Sequence, residues 1–190
     1  MVSAVILQRP GQPLLPESSL ALAEAAARST GAIRDWRLLG PLGGNNGWDA
    51  LDQPYSIESQ AMLPDFAARY LGKRGGVIGW QNVTTGTSFA AMLPVMQPPT
   101  NDYVAFAFSE HVQATAGPVL FIFSLSGVAK IWLNGALVAR DELDAGLLAA
   151  EQTVPVTMVA GKNTILVKTV NNWGYSDWTI HLSVLETLNR

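Results

Sequence analysis

The spacing of apolar positions changes character near Asp35. Upstream, Leu20-Ala-Leu-Ala-Glu-Ala-Ala-Ala-Arg28 is rich in strong helix formers; Ser18 or Ser19 can cap its start and Gly31 can end it. This predicts one helix over residues 17–31. Before it, Val2 to Leu7 is a short β-capable run, and Pro10, Gly11, Pro13 and Pro16 then forbid regular structure. Residues 1–16 therefore read as an extended arm or linker.

From Asp35 onward the pattern is that of strands. Trp36 to Leu39 is a short one, ended by Gly40-Pro41. Residues 40–75 are rich in Gly, Asn, Asp and Pro and read mostly as loop, with a second short helix near Pro64 to Tyr70. Val77–Val83, Ser88–Met92, Tyr103–Phe108, Val119–Leu125 and Val128–Leu133 are strand runs. Asn134-Gly135 is the strongest short hairpin signal and turns the last of these back into Ala136–Ala139. Thr153–Met158 and Thr164–Val170 follow, joined through Ala160-Gly-Lys-Asn163. Residues 178–184 alternate cleanly, with Ile180, Leu182 and Val184 toward a core and Thr179, His181 and Ser183 away from it. Many short strands with turns between them predict a mostly β fold, a sandwich or barrel, over residues 32–190.

Composition narrows the function classes. The 190 residues contain no cysteine, which excludes disulfides, thiolate metal sites and a cysteine nucleophile. There are two histidines, too few for a site built from several imidazoles. Net charge is −3 and no basic run occurs, so the sequence predicts no nucleic-acid partner. No apolar stretch approaches the ~20 residues of a membrane span, and the N-terminus shows neither a basic region nor an apolar stretch of signal-peptide length. The compartment is not determined by these features.

Several segments together resemble one family. Trp36-Arg-Leu-Leu-Gly-Pro-Leu42 resembles an opening strand of pattern W-x-x-x-G-P-[FL], followed by the aspartate-containing loop Gly47-Trp-Asp49. Gly79-Trp80 is similar to a mid-domain strand of the same family. Gly127-Val-Ala-Lys-Ile-Trp-Leu-Asn-Gly135 resembles D-G-V-x-V-W-L-N-G, and Val154 to Lys168 resembles V-P-V-x-L-x-x-G-x-N-x-[IL]-L-V-K. Trp178-Thr-Ile-His-Leu182 is similar to the last strand. The family is the galactose-binding-like β-sandwich, a jelly roll of the carbohydrate-binding-module type, and the likeness spans residues 36–184. Where the family often carries Asp-Asp or Asp-Gly, this chain has Leu125-Ser126-Gly127, so an acidic contact is missing. The resemblance implies a jelly-roll fold, an extracellular or cell-surface setting and carbohydrate binding; it does not specify a ligand.

Sugar sites combine aromatic faces with amides and carboxylates. Of the six tryptophans, Trp36, Trp80, Trp132 and Trp178 lie in strands and read as core. Trp173 and Trp48 lie in loops. Asn171-Asn172-Trp173-Gly-Tyr175-Ser-Asp177 gathers two aromatics, two amides and a carboxylate within seven residues, and is the best ligand patch in the chain. Gly43-Gly-Asn-Asn-Gly-Trp48-Asp49 is similarly composed. The competing structural reading is that Trp173 caps the sandwich edge while the amides make turn bonds. No cofactor is expected. For a structural calcium, which jelly-roll modules of this resemblance often carry, the acidic groups Asp141, Glu142, Asp144 and Asp49, Asp52 are the candidates, but solvated acidic turns are the preferred reading.

Catalytic patterns are thin. Gly86-Thr-Ser-Phe-Ala90 approaches the nucleophile elbow G-x-S-x-G but ends in alanine and lacks the strand–elbow–helix setting. Among 15 acidic residues nothing singles out a glycosidase pair. Asn82-Val-Thr84 is a glycosylation triplet of a kind frequent by chance. The chain is therefore expected not to be an enzyme. The first expectation is an accessory module that binds a glycan by stacking on Trp173 and Tyr175, or on Trp48, with Asn171, Asn172 and Asp177 bonding hydroxyls. The alternative is a structural subunit whose partner is another protein chain, forming a homo-oligomer or filament through strand addition by residues 1–16.

Overall fold

The computed structural model describes residues 31–43, 49–84, 89–91, 103–125, 127–142, 152–171 and 179–186. The extended arm, and the helix expected over 17–31 apart from its final residue, lie outside them.

The strands are β1 (Asp35–Gly43), β2 (Tyr70–Leu71), β3 (Val77–Ile78), β4 (Gln81–Thr84), β5 (Phe89–Ala91), β6 (Tyr103–Gln113), β7 (Gly117–Leu125), β8 (Val128–Leu133), β9 (Ala136–Asp141), β10 (Gln152–Met158), β11 (Gly161–Asn171) and β12 (Thr179–Glu186). They form a six-stranded sheet in the order β4-β1-β6-β11-β8-β9, a four-stranded sheet in the order β10-β7-β12-β5, and the small pair β2-β3. All pairings are antiparallel. The architecture is the mostly β sandwich that the residue pattern and the resemblance imply.

Side-chain alternation divides each strand between two faces. Trp36, Leu38, Ala105, Ala107, Ile131, Ile165 and Val167 of the large sheet meet Phe121, Phe123, Ile180, Leu182 and Val184 of the small one, and this is the inter-sheet core. The other face of the large sheet is also apolar: Leu39, Val104, Phe106, Phe108, Trp132, Leu166 and Val170 are buried there. Their cover is residues 49–80, which include the four-residue helix α1 (Asp49–Asp52) and a single 3-10 turn at Glu58–Gln60. Ala50, Leu51, Ile57 and Ala61 point into this second core, with Tyr55, Phe66, Tyr70, Ile78 and Trp80 packed at its margin. Burial on both faces accounts for Tyr103-Val-Ala-Phe-Ala-Phe108, where small and large side chains alternate instead of polar and apolar ones.

The structure corrects several sequence expectations. Gly40-Pro41 does not end the first strand: β1 runs on to Gly43 through a bulge between Leu39 and Leu42, and the Gly40–Pro41 peptide is cis. The segment from Pro64 to Tyr70 is not helical. There the Asp65 carboxylate accepts the Ala67 amide, an Asx turn that competes with helical bonding, and Arg69 donates to the carbonyls of Ala67 and Ala68. Val77–Val83 divides into β3 and β4. Ile180, Leu182 and Val184 face the inter-sheet core as expected, but His181 and Ser183 on the opposite face are buried too, and the Ser183 hydroxyl lies 3.1 Å from His181 Nε2. Trp36 and Trp132 are core residues, as read from the sequence, while Trp178 lies outside the described residues.

Two turn regions meet at the end of the sandwich where β8 turns into β9. Asn134 sits at φ 50° in the Asn134-Gly135 turn, and its amide nitrogen donates to Asn163 Oδ1 at 2.9 Å. Asn134 Oδ1 accepts the Thr164 amide at 2.8 Å. Asn163, fully buried, in turn accepts from Val159 N and donates to the carbonyls of Val159 and Gly161. The N-G turn and the G-x-N segment, apart in sequence, are thus one hydrogen-bonded clasp. At another point, Gly31 and Ile33 bond along the edge of β12: Val184 N donates to Gly31 O and Ile33 N to Leu182 O, each at 2.9 Å.

Asn163→Ala removes the Asn163 half of the clasp and leaves the buried Val159 and Gly161 backbone groups unpaired, so urea denaturation should show a loss of about 2–3 kcal/mol. An unchanged midpoint would refute the clasp. Gly31 has φ 76° and a Cβ placed on it would lie 2.2 Å from the Val184 carbonyl oxygen. Gly31→Ala should cost more than about 1 kcal/mol and raise hydrogen exchange at the Val184 amide.

Candidate functional site

The best site predicted from sequence lies between β11 and β12. Asn171 is the last residue of β11, and its backbone pairs with Tyr103 at the start of β6. Its side chain, together with Asn172, Trp173, Tyr175, Asp177 and Trp48, falls outside the described residues; the same holds for Asp144 and for the elbow-like Gly86–Ser88.

The strand ends that flank these segments are described, and they adjoin. Asn171 pairs with Tyr103, and Tyr103 pairs with Gly43, the last residue of β1. Three neighbouring strands span about 10 Å across two inter-strand spacings. The segments carrying Trp48 and Trp173 thus start from the same end of the same sheet. That end is held firmly. Tyr103 is buried, and the Lys73 ammonium lies 4.7 Å from its ring centroid. The Tyr55 hydroxyl donates to the Gly43 carbonyl. The Lys73 amide donates to Pro41 O at 3.0 Å, and Gly72 bridges to Leu42. Lys73 is a cation at this end that sequence reasoning missed. It belongs to a turn between two very short strands, and nothing in the local pattern connects it with Tyr103.

Beneath the cover segment lies a row of cations. Lys168 of β11 is opposite Lys130 of β8, and Lys130 is opposite Arg140 of β9. Lys168 has no exposed side-chain surface; its ammonium donates to Leu51 O at 2.8 Å, Gln53 O at 2.6 Å and Glu58 Oε1 at 2.7 Å, and lies 4.9 Å from the Tyr55 ring centroid. Asp52 takes the other two. It accepts from Lys130 at 2.7 Å and, in a two-pronged pair, from both terminal nitrogens of Arg140 at 2.6 and 2.8 Å. Arg140 also donates to Glu142.

These contacts set the ionisation of the group. Hydrogen bonds from Arg140, then from Lys130, hold the Asp52 carboxyl well below the usual carboxylate range. The bond to Asp52, then that to Glu142, holds Arg140 above the usual guanidinium range. Burial pushes the Lys168 ammonium down, and the Glu58 carboxylate beside it opposes that. Burial, with Glu58 adding to it, pushes the Tyr55 phenol up to about 12.

The arrangement bears on the calcium expectation. Asp52 and Glu142 turn their oxygens to Lys130 and Arg140, and Asp141 is buried. Among the described residues no group of three His, Asp or Glu side chains is placed to hold a metal ion. No helix among the described residues is long and apolar enough to cross a membrane.

The chain matches no protein-family model and no curated protein in sequence. It is similar in structure to part of a β-glucosidase from Kluyveromyces marxianus, at 14% identity and a TM-score of 0.46, covering 57% of this chain and 14% of that one. A β-glucuronidase from Faecalibacterium prausnitzii is similar at 18% identity and a TM-score of 0.42, with 72% of this chain and 20% of that one covered. A family 35 carbohydrate-binding module from Paenibacillus barcinonensis is similar at 18% identity and a TM-score of 0.34, with 53% of this chain and 91% of that one covered. The chain thus corresponds to a small fraction of the length of either enzyme.

The cation row makes a prediction about pH. A carboxyl whose folded pKa is depressed stabilises the fold fully above its unfolded value and loses that contribution as pH falls. For Asp52 the ordinary value is 3.8. Asp52→Asn should therefore lower the melting temperature by a constant amount above about pH 4, and the gap to wild type should close below it. The Asp52 side chain is 59% exposed, so added salt should also narrow the gap. A gap independent of pH would show that Asp52 acts without its charge.

Proposed function

We propose that this chain is a non-catalytic β-sandwich module that binds carbohydrate at the end of the large sheet where β1 and β11 finish. The observation that carries this reading is the adjacency of Gly43, Tyr103 and Asn171. It starts the two aromatic- and amide-rich segments from the strands on either side of β6, on a buttressed base. Trp173 and Tyr175, or Trp48, would supply stacking faces, and Asn171, Asn172 and Asp177 would bond ring hydroxyls. Binding of this kind needs no group tuned for proton transfer. Asp52, Glu58, Glu110 and Glu142 each pair with a lysine or arginine. His181 is a buried strand residue beside Ser183.

The test is a glycan-array screen with the full chain, followed by titration of any glycan retained. Trp173→Ala should weaken binding by about tenfold or more, as loss of a stacked aromatic anchor does, with the melting temperature unchanged. Undiminished affinity in that variant would exclude the 171–177 segment, and a screen without a single retained glycan would exclude the reading as a whole.

A further inference from the structure

The cover over the outer face of the large sheet does not reach its whole length. It stops at Phe66, whose ring packs on Phe108 at 5.0 Å and on Trp80 at 5.5 Å. Beyond Phe66 the same face continues along the strand ends of β1, β4 and β6, and its side chains become polar. Trp36, Leu38 and Val83 point into the inter-sheet core, so alternation sends Asp35, Arg37, Asn82 and Thr84 outward. Phe108 belongs to the outer face, so Glu110 shares it. These residues line a cavity of about 410 Å³. That lies within the roughly 300–1,000 Å³ of small-molecule sites.

Its polar groups are fixed before any ligand arrives. Arg37 lies with its guanidinium 3.9 Å from the Phe66 centroid. Asp35 Oδ1 accepts from the Thr84 hydroxyl at 2.7 Å, and the Asp35 carbonyl accepts from Ser109 at 2.7 Å. Glu110 is paired with Lys162 at 3.1 Å. Backbone pairing of Arg37 with both Asn82 and Phe108 holds the three strands in register. The wall thus alternates acceptors (Asp35, Glu110) with donors (Arg37) and an amide that is both (Asn82). Two carboxylates balanced by Arg37 and Lys162 leave little net charge for an ion to seek.

We infer that this cavity is a second binding site, for a neutral polyhydroxylated ligand such as a monosaccharide or the end of a short glycan. Hydroxyls both donate and accept, which this lining requires and which an apolar or singly charged ligand does not offer. The choice of ligand class rests on the carbohydrate reading above; the site itself is at a different part of the sheet. Gly43, Tyr103 and Asn171 lie at the ends of their strands remote from Asp35 and Glu110. A chain with both sites would hold two sugars, or two points on neighbouring glycans.

Backbone amide shifts distinguish the two sites. Cellobiose, xylobiose, mannobiose and lactose would each be titrated into the full chain. With at least one sugar, the amides of 82–84 and 109–111 should shift as a group, separately from those of 42–43, 103 and 171. Asn82→Ala and Glu110→Gln, both at exposed positions, should weaken the first group's response by about tenfold and leave the second unchanged. The inference is overturned if the 82–84 and 109–111 amides stay still with every sugar, or if neither variant alters their titration. If they respond and the 103 and 171 end does not, the second site stands and the loop-end reading falls. The reverse pattern keeps the loop-end reading and removes this one, and silence at both ends removes both.

Discussion

A fully buried lysine with three oxygen partners organises much of this molecule. Lys168 sits mid-strand on the outer face of the large sheet, where the residues around it are Phe106, Leu166 and Val170. A charged ammonium there is tolerable only if fully coordinated. The two carbonyls and one carboxylate that coordinate it come from residues 51, 53 and 58. The need to satisfy Lys168 therefore fixes the path of the cover segment. That path puts Tyr55 over Phe106 and delivers its hydroxyl to Gly43. The sheet end beneath the proposed sugar site is thus tied, through one short segment, to the charge in the middle of β11.

The cation row extends the same logic toward the surface. Lys168, Lys130 and Arg140 on successive strands would repel one another if left unpaired. Asp52 and Glu58 relieve this, and both belong to the cover segment. Apolar burial and charge pairing act together here: Leu51 and Ile57 enter the second core beside the acids that meet the cations. Exposed pairs such as Arg140 with Glu142 add little stability by themselves. Their value is in the choice of register between the segment and the sheet.

At the opposite end, the Asn134–Asn163 clasp explains why the most distinctive motifs in the chain speak to fold and not to ligand. W-L-N-G and G-K-N are the two halves of one hydrogen-bonded corner, and Asn163 has no exposed surface. Residues of this kind are spent on architecture. Binding chemistry must then come from positions that the corner leaves free, at the loop end and on the uncovered part of the outer face.

Many of the strand positions along the chain were legible because short-range signals set them. Period-two alternation placed Ile180, Leu182 and Val184, and Asn134-Gly135 fixed the β8–β9 hairpin. The aromatic and amide content of 171–177 marked a candidate site through composition alone. Other features depend on residues distant in sequence, so no local pattern could report them. Residues 40–75 look mostly like loop because their Gly, Asn, Asp and Pro content is high, yet the segment 49–80 roofs a second core once Lys168 supplies the anchor. β1 continues past Gly40-Pro41 because β6 pairs with it on the far side. The cluster of Asp35, Arg37, Asn82, Thr84 and Glu110 exists only where three strands lie side by side. The sequence by itself determined the elements and their turns, since those follow from neighbours along the chain. Only the tertiary structure decided which faces are roofed and which stay open, because that depends on burying a charge whose partners lie more than a hundred residues away.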